Sequence, residues 1–289
     1  MAKLRGIKDR IESISKIKKI TNAMQIVALT RVRRMEQATL DARFYFDKIR
    51  ELLFGIKAYT NFNMHTLLAE REQAQPIGIV AVGSDKGLCG NFNANIIQRL
   101  KGLRESNSGA AIKIAAAGRK IIKYVESRRG DFEILNTHSP LNTDSVADIA
   151  DKVSKIFIED FIKLKINSVY LLYNQFKLYV TGQVKEIKIL PLVLEEPKKA
   201  LPHQRNYIYE PEPREIFDSL LREYIKNQIH HALLESVTAE EMARMLSMKT
   251  ATENAQEMIA RLTIDYHKAR QKAITSELMD IIGAAEAAI

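Results

Sequence analysis

The chain has 289 residues, of which 46% are apolar and 27% are charged, a balance typical of a soluble globular protein of one or two domains. Its single cysteine, Cys89, excludes an internal disulfide framework and favours a reducing compartment. No segment approaches the roughly 20 apolar residues that span a bilayer, so any membrane association is expected to run through a partner. The first residues lack the apolar core of a secretory signal, and the early acidic residues Asp9 and Glu12 argue against a transit peptide.

Charge is distributed unevenly along the chain, whose formal net charge is +9. Residues 1–60 hold 14 Lys and Arg against 6 Asp and Glu, a balance of +8. Residues 211–289 hold 9 against 13, a balance of −4. The opposite charges favour association of the two ends at long range, and they suggest that the N-terminal segment faces an acidic partner.

A very long amphipathic helix is predicted from Leu4 to about Tyr59, because this stretch contains no proline and its apolar residues recur in steps of three or four. At about 1.5 Å per residue the helix is roughly 80 Å long, which exceeds the width of a typical domain. The predicted apolar stripe consists of Leu4, Ile7, Ile11, Ile14, Ile17, Ile20, Met24, Val27, Val32, Met35, Ala38, Ala42, Phe46, Ile49, Leu53 and Ile56.

A second long helix, on the order of 100 Å, is predicted from Pro213 to about Gly283, with Pro211 and Pro213 at its entrance. Its apolar positions are Leu220, Tyr224, Ile229, Leu233, Val237, Met242, Met245, Ala255, Ile259, Leu262, Tyr266, Ala269, Ala273, Leu278 and Ile281. A lone helix of this length has nowhere to bury its stripe. We therefore expect the two helices to pair as an antiparallel coiled coil.

Between the helices, short apolar runs alternate with turns and short helices, which is typical of an α/β domain. Strands are predicted at residues 76–83, 112–117, 132–136, 168–173 and 184–190, and helices at residues 93–103, 119–127 and 145–164. The βαβα order predicts a Rossmann-like, mainly parallel sheet that ends in a hairpin. The fold class is therefore α/β, combining this domain with the coiled coil. The predicted parts are residues 1–60 for the first helix, 61–210 for the domain and linker, and 211–289 for the last helix.

A phosphate-binding loop is the first catalytic motif to consider. Gly78 and Gly83 have the spacing of its two glycines, but Ser84 and Asp85 follow where Lys and Ser or Thr are required. We interpret this region as a tight strand-to-helix turn. A small α/β enzyme that uses the turn from Gly83 to Gly90 is the alternative, and nucleotide binding by the isolated chain would favour it.

The six histidines and the single cysteine show no metal-ligand spacing. His230 and His231 are adjacent on a helix and point roughly 100° apart, so they cannot share an ion. His267 is interpreted as a surface helix residue. Cys89 is interpreted as a small buried hydrophobe, with a reactive thiol near Lys86 as the alternative. We expect no catalytic residue, cofactor or metal in this chain.

The first helix carries a basic run, made up of Lys16, Lys18, Lys19, Arg31, Arg33 and Arg34. Nucleic-acid binding is one interpretation, but the run lacks interleaved aromatic residues and a recognition helix. A solvated helix face is the second interpretation. The third is a basic shaft that faces acidic loops of an enclosing protein.

Four segments are similar to motifs of one family. Residues 11–28 contain Ile-Glu-Ser-Ile and Lys-Lys-Ile-Thr-Asn-Ala-Met-Gln-Ile-Val-Ala, residues 84–90 read Ser-Asp-Lys-Gly-Leu-Cys-Gly, and residues 209–213 read Tyr-Glu-Pro-Glu-Pro. Residues 266–278 read Tyr-His-Lys-Ala-Arg-Gln-Lys-Ala-Ile-Thr-Ser-Glu-Leu. Together these segments resemble the γ subunits of F-type ATP synthases along the whole chain. The departures from the family pattern are Lys86 for Arg, Glu212 for Asp, His267 for Asn, Lys272 for Ala and Ser276 for Gln.

The resemblance implies a non-catalytic rotor, the central stalk of the complex. Its coiled coil is expected inside a hexamer of α and β subunits, and its foot on the membrane c-ring and the ε subunit. Ion flow then turns the ring and the stalk, and the asymmetric stalk cycles the β sites that carry the nucleotide chemistry. The resemblance also implies a peripheral membrane protein on the cytoplasmic face of a bacterial inner membrane, with no nucleic-acid partner.

The resemblance assigns functional residues by their matching positions. Contacts with a β subunit are expected from Arg270, Gln271 and Thr275, with Met24 nearby on the paired helix, and from Arg31, Arg33 and Arg34 toward an acidic loop of β. A bearing tip is expected at Leu278, Ile281 and Ile282. Contacts on the foot, toward the c-ring and ε, are expected at Tyr209 and Glu210. The turn expected to pack the α/β domain beside the coiled coil contains Asp85, Lys86, Gly87 and Cys89.

Overall fold

The computed structural model describes residues 2–57, 65–71, 76–107, 109–179, 182–193, 210 and 212–286. Its elements in chain order are α1 (Ala2–Lys57), β1 (Ile77–Val82), α2 (Phe92–Ser106), β2 (Ile112–Ala117), α3 (Arg119–Glu126), β3 (Glu133–His138), α4 (Val146–Ile162), β4 (Ser168–Asn174), β5 (Val184–Leu190) and α5 (Pro213–Glu286). These elements follow the order expected from the sequence. Most of the predicted linker before α5 lies outside the described residues.

The five strands form one sheet in the order β3-β2-β1-β4-β5. The pairs β1–β2, β1–β4 and β2–β3 are parallel, whereas β4 and β5 pair antiparallel as a hairpin. The central strand β1 is buried along its whole length, as expected for a parallel strand that is covered on both faces. The prediction of a mainly parallel α/β sheet with two long terminal helices is confirmed.

Close helix packing explains the glycines of β1 and the turn that follows it. A Cβ added to Gly78 would lie 2.6 Å from Cε1 of Phe157 on α4, and one added to Gly83 would lie 2.2 Å from Cγ1 of Ile121 on α3. Gly118 has a φ of +89°, and a Cβ added to it would lie 2.5 Å from the carbonyl oxygen of Gly83. The two glycines that resemble a phosphate-binding loop therefore serve helix–sheet packing.

The chain divides into two compact units. The terminal unit consists of Met1–Ala28 and Arg244–Ile289, and the central unit of Leu29–Ala243. The sequence-based boundaries near residues 60 and 211 follow changes in secondary structure. The packing boundaries instead lie inside α1 and α5, because each long helix contributes one segment to each unit.

The central unit has a core on each face of its sheet. On one face, α2 and α3 cover the sheet, with Ile96, Leu100 and Ile121 fully buried. On the other face the core joins the sheet to α4 and to the parts of α1 and α5 that belong to this unit. Its members include Leu53, Phe157, Leu171, Phe217 and Leu233. In this unit, every residue of α5 from 232 to 243 is buried.

Gly78→Ala is expected to destabilise the central unit, because the new methyl group would overlap the Phe157 ring and force the core to shift. Overpacking of this kind costs about 1–3 kcal/mol. Urea unfolding of the full chain measures the effect. The matched control is Gly102→Ala in α2, where nothing lies within 4 Å of the added Cβ and the change should stabilise the helix by up to about 1 kcal/mol. Equal effects of the two changes would contradict the packing argument.

Candidate functional site on the paired helices

In the terminal unit the two helix segments pair antiparallel through polar contacts. The hydroxyls of Thr21 and Thr252 share a hydrogen bond of 2.7 Å. One turn earlier on α1, the Lys18 ammonium donates to the side-chain oxygen of Gln256. Because the contact moves backwards on α1 as it moves forwards on α5, the segments run in opposite directions, as predicted for a coiled coil.

The inward-facing stripe of α1 differs from the predicted stripe. Burial follows a strict alternation of three- and four-residue steps, through Leu4, Ile7, Ile11, Ile14, Lys18, Thr21, Gln25 and Ala28. The prediction that Ile17, Ile20 and Val27 face the partner helix is wrong, because these side chains are 53%, 60% and 53% exposed. The predicted stripe took the most apolar residue at each step and so left the heptad spacing. In the structure the inward positions keep that spacing, even where the residue is polar.

Helix α5 follows its predicted stripe through most of the terminal unit. Ala255 is buried, and Ile259, Leu262, Tyr266, Ala269 and Ala273 are half-buried. Beyond this point the described side chains from Ile274 to Ala284 are all exposed. Leu278 and Ile281, which the predicted stripe included, therefore do not face α1.

The length of α1 explains where the shielding of α5 stops. Thr21 lies nineteen residues after Ala2, so in an antiparallel register the start of α1 is level with a residue about nineteen after Thr252. That point is close to Arg270 and Gln271, which are both exposed. The Thr275 side chain is also exposed, and its hydroxyl donates to the carbonyl of Gln271 at 2.9 Å.

The same register separates Met24 from these residues. Met24 is half-buried and lies three residues after Thr21, so it is level with the α5 segment near Lys249. Arg270 is 21 residues further along α5, which corresponds to about 30 Å of helix. The expectation that Met24 lies near Arg270, Gln271 and Thr275 is therefore corrected.

Large apolar side chains cover the outside of the terminal unit. At least 46% of each of these side chains is exposed: Ile17, Ile20, Ile26, Val27, Met258, Ile264, Ile274, Leu278, Met279, Ile281 and Ile282. Apolar groups thus lie outside the helix pair as well as within it, where they share the inward path with polar residues such as Lys18 and Thr21. Exposed apolar side chains in such numbers mark a site of protein association.

In the central unit, α1 and α5 also pair through polar groups. The hydroxyls of Thr39 and Thr238 lie 3.0 Å apart and are both buried. The guanidinium of Arg31 donates to the carboxylate of Glu241 at 3.2 Å. Arg31 is therefore paired within the chain, and Arg33 is exposed on the same helix.

Arg34 is exposed in the same stretch of α1. The three arginines of the predicted basic run thus differ in setting. Arg31 has an acidic partner within the central unit, whereas the side chains of the other two extend from an exposed helix face.

The turn after β1 lies at the carboxyl edge of the sheet and binds the segments that follow β2 and β3. The Asp85 carboxylate accepts hydrogen bonds from the backbone N–H of Arg119 at 3.0 Å, the hydroxyl of Ser139 at 2.8 Å and the backbone N–H of Leu141 at 2.5 Å. It therefore supplies a negative charge and a hydrogen-bond acceptor at the N-terminus of α3. Three segments of the central unit meet at this one side chain.

The rest of the turn packs against α5. Cys89 is 3% exposed and forms an apolar cluster with Phe92, Ala239 and Ala243. The prediction that Cys89 is a small buried hydrophobe is confirmed. Lys86 is exposed, and a Cβ at Gly87 would meet nothing within 4 Å.

A buried polar junction joins α5 to the sheet. The Tyr173 hydroxyl on β4 hydrogen-bonds the Glu235 carboxylate on α5, and the His231 ring lies one turn away, with its Nε2 4.0 Å from that carboxylate. Lys185 is the register partner of Tyr173 on β5. The His231 ring also stacks on Phe46 of α1, with the ring centroids 6.0 Å apart.

Burial dominates the ionisation of this junction. Desolvation lowers the pKa of His231 from 6.5 to about 4, and the positive charges of Arg43 and Lys185 act in the same direction. Desolvation raises the pKa of Glu235 above 4.5, although the hydrogen bond from Tyr173 and the charge of Lys185 oppose the rise. Burial, and then the neighbouring carboxylate, raise the pKa of Tyr173. Burial thus disfavours the charged forms of both His231 and Glu235.

Neither a metal centre nor a membrane span is found in the described part of the chain. No group of three or more His, Cys, Asp or Glu side chains there is arranged to hold an ion. No helix in the same residues is both long and apolar enough to cross a bilayer. Glu210 of the predicted foot is exposed, and Tyr209 lies outside the described residues.

Comparison with known proteins agrees with this arrangement. A family model described as ATP synthase matches residues 3–288. The ATP synthase gamma chain of Legionella pneumophila (strain Corby) is 36% identical over 291 residues, which cover 99% of this chain and 100% of that protein. That of Fusobacterium nucleatum is 34% identical over 287 residues, with the same coverage. The chain belongs to the ATP synthase gamma chain family. As a gamma chain it is a non-catalytic subunit of the ATP synthase.

Solved structures show the same fold as this gamma chain. A chain of the Euglena gracilis mitochondrial ATP synthase, in a structure of OSCP, F1 and c-ring, aligns with a TM-score of 0.66 at 15% identity and covers 99% of this chain and 94% of its own length. A chain of the Tetrahymena thermophila enzyme, in a structure of the central stalk and c-ring, aligns with a TM-score of 0.57 at 21% identity. It covers 81% of this chain and 99% of its own length.

Sequence reasoning missed the polar groups inside the gamma chain's helix pair. Thr21 and Thr39 lie on the three- and four-residue spacing, and this spacing was the signal that could have identified them. Glu241 carried no comparable signal, because its pairing with Arg31 depends on the register between two distant segments. The junction of Tyr173 with Glu235 likewise depends on tertiary contact alone.

His231→Phe and Glu235→Gln are expected to change the pH dependence of stability in opposite directions. The folded pKa of His231 lies below its unfolded value of 6.5, so stability is lost as pH falls from about 6.5 toward 4. His231→Phe removes this loss, which amounts to up to about 3 kcal/mol. The folded pKa of Glu235 lies above its unfolded value of 4.5, so stability is lost as pH rises through the folded value, and Glu235→Gln removes that loss.

Urea unfolding across a pH series measures both effects. His231→Phe should gain stability relative to the parent chain as pH falls below 6.5, and Glu235→Gln should gain as pH rises above 4.5. His267→Gln, a change at an exposed histidine on the same helix, serves as the control. Gains that grow in the same pH direction for both junction variants would contradict the assignment.

Proposed function

We propose that this gamma chain is the central-stalk rotor of an F-type ATP synthase, which couples ion-driven rotation of a membrane c-ring to the conformational cycling of catalytic β subunits. Its membership of the gamma chain family supports this role. The exposed apolar side chains on both helices of the terminal unit are the structural observation on which the proposal rests. A helix pair that leaves these side chains uncovered is suited to a further protein around it.

The proposed surrounding protein is a hexamer of α and β subunits. Exposed apolar side chains on both helices supply contact area without ion pairs, so they are suited to repeated making and breaking of contacts. The proposed tip at Leu278, Ile281 and Ile282 extends past the level of Ala2, where α1 begins. These side chains are exposed, as a bearing requires. A rotor changes the state of its partner only through contacts that differ with angle.

Polar contacts with β are proposed at two places. Arg270, Gln271 and Thr275 lie where α5 passes the start of α1, and all three are exposed. Hydrogen bonds that involve a charged group contribute about 1.5–3 kcal/mol each, which is enough to bias an angle yet small enough to break at every step. Arg31, Arg33 and Arg34, together with Met24, are proposed to contact β along α1.

The remaining proposed partners are the ε subunit and the c-ring, through a foot that includes Tyr209 and Glu210. Membrane association would then pass through the c-ring, on the cytoplasmic face of a bacterial inner membrane. The turn with Asp85, Lys86 and Cys89 is proposed to fix the sheet beside α5, which agrees with the packing of Cys89 on that helix. Co-purification with α and β subunits in a one-to-three-to-three ratio tests this assembly.

Ile20→Asp is expected to leave the free chain folded and to weaken its assembly with α and β subunits. Ile20 is 60% exposed in the chain alone, so the change should alter its stability by less than about 0.5 kcal/mol. Burial of an isoleucine against a partner contributes about 1.5–3 kcal/mol, so affinity should fall roughly 10- to 100-fold. Titration of α and β subunits with labelled chain measures this affinity.

Leu164→Asp is the matched control for that experiment. Leu164 is also 60% exposed, but it lies after α4 in the central unit. This change should leave the affinity near that of the parent chain. The proposal would be contradicted if Ile20→Asp assembled as well as Leu164→Asp.

Deletion of residues 270–289 is expected to uncouple the complex while leaving the helix pair formed. The register ends the pairing near residue 271, so the deletion removes mainly the unpaired tip and the polar residues at its base. ATP-driven ion pumping in reconstituted vesicles, divided by the hydrolysis rate, measures the coupling. A truncated chain that assembles and retains full coupling would argue against a rotor role for this segment.

A further inference from the structure

Arg31 combines an acidic partner within the chain with a side chain that is half exposed to solvent. About half of the Arg31 side chain is exposed, whereas only 9% of the Glu241 side chain is. One edge of the guanidinium is therefore held by an acidic group inside the protein, and the other edge faces solvent. A guanidinium has five N–H donors in a planar fork, so one carboxylate leaves donors available for a second.

The pairing of Arg31 with Glu241 adds little stability by itself. A carboxylate enclosed by α1, α5 and their neighbours loses hydration, and the half-exposed pair with Arg31 offsets only part of that free energy. What the carboxylate does provide is a fixed orientation, because it restricts a long side chain that otherwise samples many rotamers.

We propose that Glu241 is a positioning residue, which holds Arg31 in the orientation that binds an acidic group of the surrounding subunits. The inference rests on the proposed rotor function and adds to it a residue that does not itself touch the partner. An arginine ordered in advance loses less conformational entropy on binding than a free one. Of the three arginines in this stretch, Arg31 is thus the one set to make an angle-specific contact.

Kinetics separate positioning from simple electrostatics. Glu241→Gln keeps a hydrogen-bond acceptor but removes one negative charge from the chain, so long-range attraction to an acidic partner should not weaken. The association rate should therefore stay the same or rise slightly. If Glu241 positions Arg31, the dissociation rate of the chain from the complex with α and β subunits should rise about three- to tenfold.

The test compares four variants in the reconstituted complex. Arg31→Ala should also raise the dissociation rate, and Arg31→Ala combined with Glu241→Gln should be no worse than Arg31→Ala alone. Arg33→Ala is the control, because Arg33 lies on the same helix and its effect should add to that of Glu241→Gln. Tighter binding by Glu241→Gln, or an unchanged dissociation rate, would overturn the proposal.

A charge exchange distinguishes positioning from a merely structural pair. Arg31→Glu combined with Glu241→Arg rebuilds an ion pair within the chain but reverses the charge of the half-exposed member. The thermal midpoint of the free chain should recover relative to the single variants, while the fast dissociation should persist. Recovery of both would show that the pair acts only on the fold. Failure of the parent chain to bind α and β subunits at all would instead overturn the rotor function together with this inference.

Discussion

The antiparallel pairing of the two ends of the chain is the constraint on which the rest of the structure depends. Two helices as long as α1 and α5 cannot be stable alone in water, because neither can bury its stripe without the other. The pairing is held at intervals by polar contacts, among them the hydroxyl pair of Thr21 with Thr252. Buried polar pairs add little to stability, but they restrict which residues can face each other.

The residues that face inward in this pairing determine which side chains form the outer surface of the terminal unit. Threonine, lysine and glutamine occupy some inward positions, while Ile17, Ile20, Ile26 and Val27 of α1 lie on the outside. An amphipathic helix of a free soluble protein keeps its apolar residues on the covered face. The exposed apolar side chains therefore fit the proposed role, in which other subunits surround the helix pair.

The central unit shows why a nucleotide-binding fold does not imply a nucleotide-binding site. Its sheet has the parallel order of many such domains. At the carboxyl edge, however, the Asp85 carboxylate accepts hydrogen bonds from the chain's own segments. The glycines that suggested a phosphate loop allow Phe157 and Ile121 to approach the backbone. The residues of this edge thus serve packing, which agrees with a non-catalytic subunit.

Local sequence signals predicted most of this fold. Periodicity identified both long helices and the five strands, because burial imposes its period on the side chains of each element. The inward-facing residues of α1 could not be predicted exactly. Ile17 and Ile20 are more apolar than Lys18 and Thr21, so they were assigned to the buried stripe in their place. Contacts such as Arg31 with Glu241 were also beyond local reasoning, because they depend on the register of segments about 210 residues apart.

Cysteine accessibility would test the polarity of the helix pair most directly. In a chain with Cys89→Ala, a thiol introduced by Ile20→Cys should react quickly with a water-soluble maleimide, and assembly with α and β subunits should protect it. A thiol introduced by Thr21→Cys at the adjacent inward position should react slowly in both states. Rapid reaction at position 21 in the free chain, or no protection of position 20 in the complex, would contradict the account.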